Sequence, residues 1–282
     1  MPEVPLLSCK NDLRIPALGL GLSRIKPGKK TVDTVRTAVD IGYRLFDTAK
    51  FYGNEKDLGK AITDSKVKRE EFFVCSKLWT DDFGYDSTIK AFHKTLNRMQ
   101  LEYLDLFLLH MPANNFIESW KALIHLQKDN LTRFIGVSNF SAEHLNSIKN
   151  SNLCLPRVNQ IALNPFNTQS NIVQYCREND IVIMAHSPLT RAQKITTPLL
   201  NDMQTRYGKT SAQILLRWSV RNSFIPIPKS SNEERLKENI NIFDFELTRE
   251  DMNLLNSLNE NYIVEGRKIK LKKLVSKFFQ LK

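Results

Sequence analysis

The sequence predicts an α/β fold, a (β/α)8 barrel of the TIM-barrel class, with an N-terminal β-hairpin closing one end. Eight short apolar runs recur along the 282 residues, and a helical pattern follows each of them. The runs are almost continuously apolar, which is typical of strands buried on both faces of a parallel sheet. Chains of this length form such barrels as one domain. A doubly wound sheet is the alternative fold, but no G-x-G-x-x-G motif follows the first run.

The predicted strands and helices alternate along most of the chain. The turn-like stretch "KND" between two apolar pieces predicts the hairpin. Strands are predicted over 15–22, 43–49, 71–79, 104–112, 133–140, 157–166, 181–189 and 224–230. Helices are predicted over about 31–41, from 54 onward, 85–99, 116–128, from 141 onward, 169–179, 198–222 and 232–242. Ser141 stands where an N-cap is expected.

The basic charge is concentrated at the C-terminus. The formal net charge is +11, yet seven basic residues and no acidic residue lie within 266–282. We therefore divide the chain into a barrel domain, residues 1–265, and a basic amphipathic tail, residues 266–282. Apolar residues recur at helical spacing in the tail, which favours docking on the barrel over binding to an anionic membrane or an acidic partner. The charge of the barrel is modest, so no nucleic-acid partner is expected.

Cysteine usage and hydropathy predict a cytoplasmic protein. The cysteines Cys9, Cys75, Cys154 and Cys176 are scattered without a C-x-x-C pair, so no metal site is expected. Cys75 and Cys154 are expected to pack as small apolar residues. Reduced thiols, the lack of a secretory signal and the lack of a long apolar run all fit the cytoplasm. No interface pattern is visible, so a monomer is expected.

Four polar residues fall where predicted strands end: Asp47, Tyr52, Lys77 and His110. The active site of a (β/α)8 barrel lies at the C-terminal ends of its strands. Each residue taken alone has an ordinary explanation, such as a turn cap or a packed core residue. A lysine that ends the apolar run "FFVCSKL" must be paired if it is buried, because an unpaired interior charge is very costly. Asp47 on the neighbouring strand is the expected partner of Lys77.

These four side chains suit the reduction of a carbonyl group. Tyrosine has an ordinary pKa of about 10, and a neighbouring cation favours its phenolate form. Lys77 would supply that cation, so that Tyr52 would act as general acid toward an oxygen that gains negative charge. His110 would donate a hydrogen bond to the same oxygen. Because no side chain is a hydride donor, a nicotinamide cofactor is implied.

Seven motifs in one order give the chain a specific resemblance. "DTAKFYGNE", "SKLW" and "LLHMP" carry Tyr52, Lys77 and His110, and "GVSNF", "VNQ", "SPL" and "IPKS" follow along the chain. Over residues 7–262 the sequence resembles the aldo-keto reductase family, in particular its compact microbial members related to diketogluconate reductases. The resemblance implies NADPH-dependent reduction of aldehydes or ketones to alcohols, with catalytic roles for these three residues and Asp47.

The resemblance also implies a binding site for NADPH. The expected cofactor-binding residues are Ser138, Asn139, Gln160, His186, Ser187, Leu189, Lys229, Ser230, Asn232, Arg235, Glu238 and Asn239. The first three match positions that bind the nicotinamide carboxamide, and the last two match the adenine edge. Lys229 and Ser230 match the positions that hold the 2′-phosphate, which favours NADPH over NADH. The helix that begins close behind them would add amide groups and a partial positive charge.

The chain departs from the family pattern at several positions. His186 stands where the family has an aromatic residue that stacks on the nicotinamide, so weaker cofactor binding is expected, more so at acidic pH. The expected substrate-binding residues are Ser23, Trp79 and Met111. The first and third of these replace aromatic side chains, so a roomier and less aromatic pocket is expected. The similarity to compact microbial members suggests small aldehydes, α-dicarbonyls or keto-sugars as substrates.

A protein of a different class is the alternative interpretation. A non-catalytic, cofactor-binding regulatory protein would keep the barrel and the cofactor site and would bind a partner through its basic tail. The complete set of Asp47, Tyr52, Lys77 and His110 favours an NADP-dependent oxidoreductase instead.

Overall fold

The computed structural model describes residues 4–8 and 13–264, so the predicted tail at 266–282 lies outside the described residues. The strands are β1 (Leu6–Ser8), β2 (Arg14–Pro16), β3 (Gly19–Gly21), β4 (Leu45–Asp47), β5 (Phe73–Leu78), β6 (Leu104–Leu109), β7 (Thr132–Ser138), β8 (Val158–Ala162), β9 (Val182–His186) and β10 (Ile225–Pro226). The helices are α1 (Lys29–Ile41), α2 (Glu55–Thr63), α3 (Tyr85–Met99), α4 (Phe116–Lys128), α5 (Ala142–Asn150), α6 (Ser170–Glu178), α7 (Pro198–Tyr207), α8 (Ser211–Arg221), α9 (Glu233–Ile240) and α10 (Arg249–Asn256).

Eight parallel strands form one sheet that curls into a barrel. Neighbouring strands are hydrogen-bonded in the order β10-β9-β8-β7-β6-β5-β4-β3. The barrel closes where β3 meets the segment just after β10, since the Gly21 amide donates to the Pro228 carbonyl at 3.0 Å. Glycine is required at this junction, because a Cβ at position 21 would lie 2.9 Å from the Ile227 carbonyl oxygen. The predicted (β/α)8 barrel is thus confirmed.

The predicted N-terminal hairpin is also present and closes one end of the barrel. Strands β1 and β2 pair antiparallel. Leu13 and Ile15 are buried and pack in one cluster with Leu45, Phe73 and Ile225, which are the first residues of β4, β5 and β10. The hairpin therefore covers the N-terminal ends of the strands and leaves the C-terminal ends accessible.

Two predicted elements are divided in the structure. The apolar run 15–22 belongs partly to β2, which pairs with β1, and partly to β3, which pairs with β4 in the barrel. The helix predicted over 198–222 is two helices, α7 and α8. Gly208 ends α7 in the left-handed conformation with φ 61°, and Thr210 begins α8 with a capping box. Ser141, in contrast, caps α5 as predicted.

One predicted burial is wrong. Cys154 is exposed, whereas Cys75 and Cys176 are buried. The apolar sequence neighbours of Cys154 belong to the coil between α5 and β8, where they do not enclose its thiol.

Within residues 4–8 and 13–264, no helix is both long enough and apolar enough to cross a membrane.

Helix α10 is absent from the sequence prediction, and an ion pair fixes it to α7. Both guanidinium NH groups of Arg206 donate to the buried Asp251 carboxylate at 2.7 Å. The Tyr207 hydroxyl donates to the same carboxylate, and the Thr248 hydroxyl accepts from the Asp251 amide. This hydrogen bonding, led by that from Arg206, lowers the pKa of Asp251.

Replacing Asp251 by Asn is expected to lower the free energy of unfolding by about 2 kcal/mol, because charge-assisted hydrogen bonds to Arg206 are lost. Urea unfolding measures this change. The matched control is Asp202→Asn, which removes an exposed pair of the same arginine and should cost less than about 0.5 kcal/mol. Since the pKa of Asp251 is depressed on folding, its contribution is present at neutral pH and disappears as the pH falls below about 4. Equal losses for the two variants would contradict a stabilising role for this pair.

Candidate active site

Side-chain alternation along the strands places three polar residues inside the mouth of the barrel. Asp47 comes two residues after the inward-facing Leu45, and Lys77 comes two residues after the inward-facing Cys75. His110 comes two residues after Leu108 in the same way. Side chains at i and i+2 share one face of a strand. All three therefore point inward at the C-terminal ends of β4, β5 and β6, and all three are buried.

Lys77 is completely buried and is paired as predicted. Its Nζ atom contacts both carboxylate oxygens of Asp47 and donates to the Thr48 carbonyl at 2.8 Å. Burial by itself lowers the pKa of Lys77, but the attraction of Asp47, reinforced by Tyr52 and Cys75, outweighs it and raises that pKa. The side chain is therefore a fixed cation at the base of the site. Gln160 completes the network, since its amide nitrogen donates to Asp47 at 2.9 Å.

Tyr52 lies over this cation. Its hydroxyl is 3.5 Å from Lys77 Nζ, and the same Nζ atom is 5.0 Å from the centre of the phenol ring. The tyrosine ends the 3-10 turn Lys50–Tyr52, which Gly53 closes in the left-handed conformation with φ 71°. The phenol is partly exposed, so it faces both the buried ion pair and the solvent at the mouth.

The loop that carries Tyr52 is held by buried polar contacts. Asn54 occupies the N-cap position of α2, but its side chain makes no capping bond. It accepts instead from the Thr48 hydroxyl at 2.6 Å and donates to the Leu22 carbonyl at 3.0 Å. The buried Glu55 accepts from the Ser76 hydroxyl at 2.6 Å. Asn54 is therefore the N-cap residue of α2, but its side chain joins two rim loops instead of capping the helix.

Lys50 next to this loop is part of an ion pair rather than a free solvated lysine. It forms an ion pair with Asp82 in the 3-10 turn that follows β5. This pair connects the loops after β4 and β5 on the outer side of Tyr52. The sequence does not predict it, since the two residues lie on different strand-end loops.

His110 lies at the centre of an aromatic group on the rim. Its ring is 5.6 Å from the ring of Tyr52 and 5.0 Å from that of Trp79, and both contacts are edge-on. Phe51 stacks on Trp79 with ring centres 4.1 Å apart, although its side chain is 57% exposed. Phe51 is absent from the sequence-predicted site. The two aromatic rings form one wall of the mouth next to Tyr52.

Ser138, Asn139, Gln160 and His186 come together on the opposite side of the mouth. The Ser138 hydroxyl donates to the Gln160 carbonyl at 3.0 Å. The Asn139 side-chain nitrogen donates to the His110 carbonyl at 3.1 Å, and its oxygen lies 3.0 Å from His186 Nε2. Ser187 lies 3.2 Å from the other ring nitrogen of His186. These residues, which were assigned to the nicotinamide by resemblance, form one hydrogen-bonded rim.

A second group of predicted residues gathers at the C-terminal end of β10. Ser230 accepts from the Asn232 amide at 3.2 Å, and the Asn232 side chain caps α9 by accepting from the Arg235 amide at 3.0 Å. Burial, followed by the proximity of three cations, lowers the pKa of Lys229. Those cations are Lys30, Arg235 and Arg24.

Like charges gathered in this way fit an anionic group such as a phosphate, which would relieve their mutual repulsion. Lys30 and Arg24 come from the β3–α1 region, about 200 residues away along the chain, and Lys30 donates to the Ser231 carbonyl at 3.4 Å. Neither is among the sequence-predicted residues, because only the closure of the barrel brings them here.

The remaining predicted residues lie around the same rim. Glu238 accepts from the Thr210 hydroxyl on the neighbouring helix, and Asn239 is buried on α9. The other predicted binding residues at the rim, all half-buried, are Ser23, Met111 and Leu189.

Comparisons with known proteins agree with this arrangement. Residues 17–260 match the Aldo/keto reductase family. The glyoxal reductase of Bacillus subtilis is 40% identical over 252 residues, which cover 89% of this chain and 91% of the relative.

Solved structures give the same result. An aldo/keto reductase from Brucella melitensis matches with a TM-score of 0.87 and 38% identity, over 91% of this chain and 100% of the other. An aldo-keto reductase from Bombyx mori, solved in complex with NADP, matches with a TM-score of 0.88 and 33% identity, over 96% and 97%. The agreement between strand order, site geometry and sequence over nearly the whole barrel shows that this chain belongs to the aldo/keto reductase family.

Proposed function

We propose that the protein reduces small aldehydes and α-dicarbonyl compounds to alcohols with NADPH, and that Tyr52 is the general acid. The buried Lys77, held by Asp47 and reaching the Tyr52 hydroxyl at 3.5 Å, is the observation that carries this proposal. A fixed ammonium beside a phenol favours the phenolate that remains after proton transfer.

Each of the four residues has a distinct role in this proposal. Tyr52 donates its hydroxyl proton to the carbonyl oxygen, and Lys77 stabilises the phenolate that forms. Asp47 holds the ammonium in place and balances its positive charge within the barrel. His110 donates a hydrogen bond that orients the carbonyl oxygen toward Tyr52. NADPH, when bound, supplies the hydride to the carbonyl carbon.

The cofactor assignment is supported at both ends of the rim. The amides of Asn139 and Gln160 suit the nicotinamide carboxamide, and the cluster of Lys229, Arg235, Arg24 and Lys30 suits the 2′-phosphate. The Bombyx mori neighbour was solved with NADP, which is consistent with this choice. Arginine binds phosphate well because its planar guanidinium presents paired donors.

The proposed substrate class follows from the mouth of the barrel and from the relatives. Ser23 and Met111 leave the mouth without large rings after β3 and β6, while Phe51 and Trp79 stack on each other after β4 and β5. A glyoxal reductase is among the relatives, and glyoxal is a small α-dicarbonyl. Small substrates need little apolar contact, since hydrogen bonds from Tyr52 and His110 hold the reacting oxygen.

Carbonyl reduction is tested by following the absorbance of NADPH with a panel of methylglyoxal, phenylglyoxal, nitrobenzaldehyde and diketogluconate. Turnover is expected to be fastest with methylglyoxal or phenylglyoxal. Binding of NADPH without turnover of any compound would contradict the proposal and would favour a regulatory protein. A preference for diketogluconate would contradict the substrate class while leaving the reductase chemistry intact.

Replacing Lys229 by Ala is expected to raise the Kd for NADPH about 10- to 100-fold, because a charge-assisted hydrogen bond to the 2′-phosphate is lost. The Kd for NADH, which lacks this phosphate, should change less than about threefold. Tryptophan fluorescence titration measures both constants. Lys237→Ala is the matched control, since this lysine lies on α9 but pairs with Glu233 and Glu234. Equal weakening of NADH and NADPH would rule out the assigned contact.

A further inference from the structure

His186 makes a contact that its predicted stacking role does not require. Its Nε2 atom lies 3.0 Å from Asn139 Oδ1, and its Nδ1 atom lies 3.2 Å from the Ser187 hydroxyl. In the sheet, β8 lies between β9, which ends with His186, and β7, which precedes Asn139. The imidazole therefore bridges two strand ends across the intervening strand.

The direction of this hydrogen bond follows from the neighbouring groups. The Asn139 side-chain nitrogen donates to the His110 carbonyl at 3.1 Å and to the Ser138 hydroxyl oxygen at 2.9 Å. Turning the amide over would place Oδ1 against the His110 carbonyl, which can only accept. Oδ1 therefore faces His186, and Nε2 must carry the hydrogen. In the neutral imidazole, Nδ1 is then left to accept from Ser187.

Asn139 is consequently held on every side. Its backbone has a left-handed φ of 63°, and its amide donates to the Gln160 carbonyl at 2.9 Å. Its side chain is bound to His110 and Ser138 through the nitrogen and to His186 through the oxygen. One lone pair of Oδ1 remains for a further donor. An amide fixed before the ligand arrives loses little rotamer freedom on binding.

We propose that His186 is a positioning residue that acts through Asn139 and presets the Asn139 amide for the carboxamide of the nicotinamide. This inference rests on the proposed NADPH-dependent function, because it assigns the carboxamide to that amide. A phenylalanine at position 186 would offer a larger face to the nicotinamide ring but no hydrogen-bond donor to Asn139 Oδ1. If only the stacking area mattered, a phenylalanine variant would bind NADPH more tightly than the wild type. If the hydrogen bond to Asn139 matters, the same variant should bind NADPH more weakly.

Two substitutions of His186 separate the effect of its aromatic ring from the effect of its hydrogen-bond donor. His186→Phe keeps an aromatic face and removes the hydrogen bond. His186→Gln removes the ring but places an NH2 group the same number of bonds from Cα as Nε2. Binding of NADPH is titrated through tryptophan fluorescence, for which Trp79 at the rim provides a local signal.

The Phe variant is expected to raise the Kd for NADPH about fivefold, and the Gln variant to stay within about twofold of the wild type. Asn139→Gly removes the amide at a left-handed position without backbone strain. In that background, His186→Phe is expected to change the Kd less than about twofold, because the coupling partner is gone. Wild-type or tighter binding by His186→Phe would overturn the proposal, as would the same fivefold loss in the Asn139→Gly background.

The experiment distinguishes this inference from the proposed function. The titration needs no turnover, so a failure to reduce any carbonyl would leave the expected pattern of Kd values unchanged. Conversely, a reductase that turns over methylglyoxal while His186→Phe binds NADPH as tightly as the wild type would keep the function and lose the positioning role. Thermal unfolding of each variant verifies that a weaker affinity is not caused by partial unfolding.

Discussion

Replacing Tyr52 by Phe is expected to lower kcat for methylglyoxal about a thousandfold, with the Kd for NADPH changed less than about twofold. The substitution removes one hydroxyl group and with it the proton donor of the proposed reaction, and general acid catalysis contributes roughly 10²- to 10⁴-fold. The ring remains to pack against His110, whose ring centre is 5.6 Å away, so the mouth should keep its shape. Steady-state kinetics and a binding titration on the same preparation measure the two quantities.

The exposed phenol of Tyr85 provides a matched control for Tyr52→Phe. Tyr85 begins α3 and packs edge-on against His125, away from the ion pair, so Tyr85→Phe should leave kcat unchanged. Turnover by Tyr52→Phe at more than about a tenth of the wild-type rate would eliminate Tyr52 as the proton donor. A large rise in the Kd for NADPH in this variant would indicate instead that the hydroxyl supports cofactor binding.

The sequence predicts the barrel and the polar cluster at its mouth well for a specific physical reason. Strands buried on both faces read as continuous apolar runs, so a polar side chain that ends a run is conspicuous. Asp47, Lys77 and His110 are each detectable in this way, and the cost of an unpaired buried charge leads from Lys77 to its partner. These arguments need only local sequence and the rule that strand ends share one rim.

The contacts that the sequence does not predict join residues from distant parts of the chain. Lys30 approaches Lys229 because β3 and β10 meet when the barrel closes, and no local pattern records that meeting. The His186–Asn139 bond likewise passes over β8 and depends on how three strands are staggered. Phe51 is absent from the predicted site for a different reason. A large apolar residue in a loop is ordinarily expected to be buried in the core, whereas this ring is exposed at the rim and stacks on Trp79.

The second large effect concerns the ion pair beneath Tyr52. Lys77→Met and Asp47→Asn are each expected to lower the free energy of unfolding by roughly 3 to 5 kcal/mol, because each leaves a buried charge without its partner. The double variant is expected to recover most of this loss, since it contains neither charge. All three variants should lose at least about 100-fold in kcat, because Tyr52 loses either the cation beside it or the carboxylate that holds that cation in place.

The pH dependence of stability gives an independent check. The pKa of Lys77 is higher in the folded protein than its ordinary value, so its contribution is complete below about pH 10 and disappears only as the pH rises through the folded value. The stability difference between the wild type and the double variant, which contains neither charge, should therefore stay constant between about pH 6 and pH 9. A difference that grows as the pH rises within this range would show that the buried lysine is partly neutral in the folded protein.

Urea unfolding of the wild type, both single variants and the double variant forms a complete cycle. The exposed pair Arg36–Asp64 provides the control cycle, and its coupling should be below about 1 kcal/mol. Strict additivity at Asp47 and Lys77 would show that the two charges are not coupled in the folded state. Recovery of stability without recovery of kcat would instead show that the pair is retained for its effect on Tyr52. A well-packed apolar pair could support the barrel at this position, but it could not hold a phenolate.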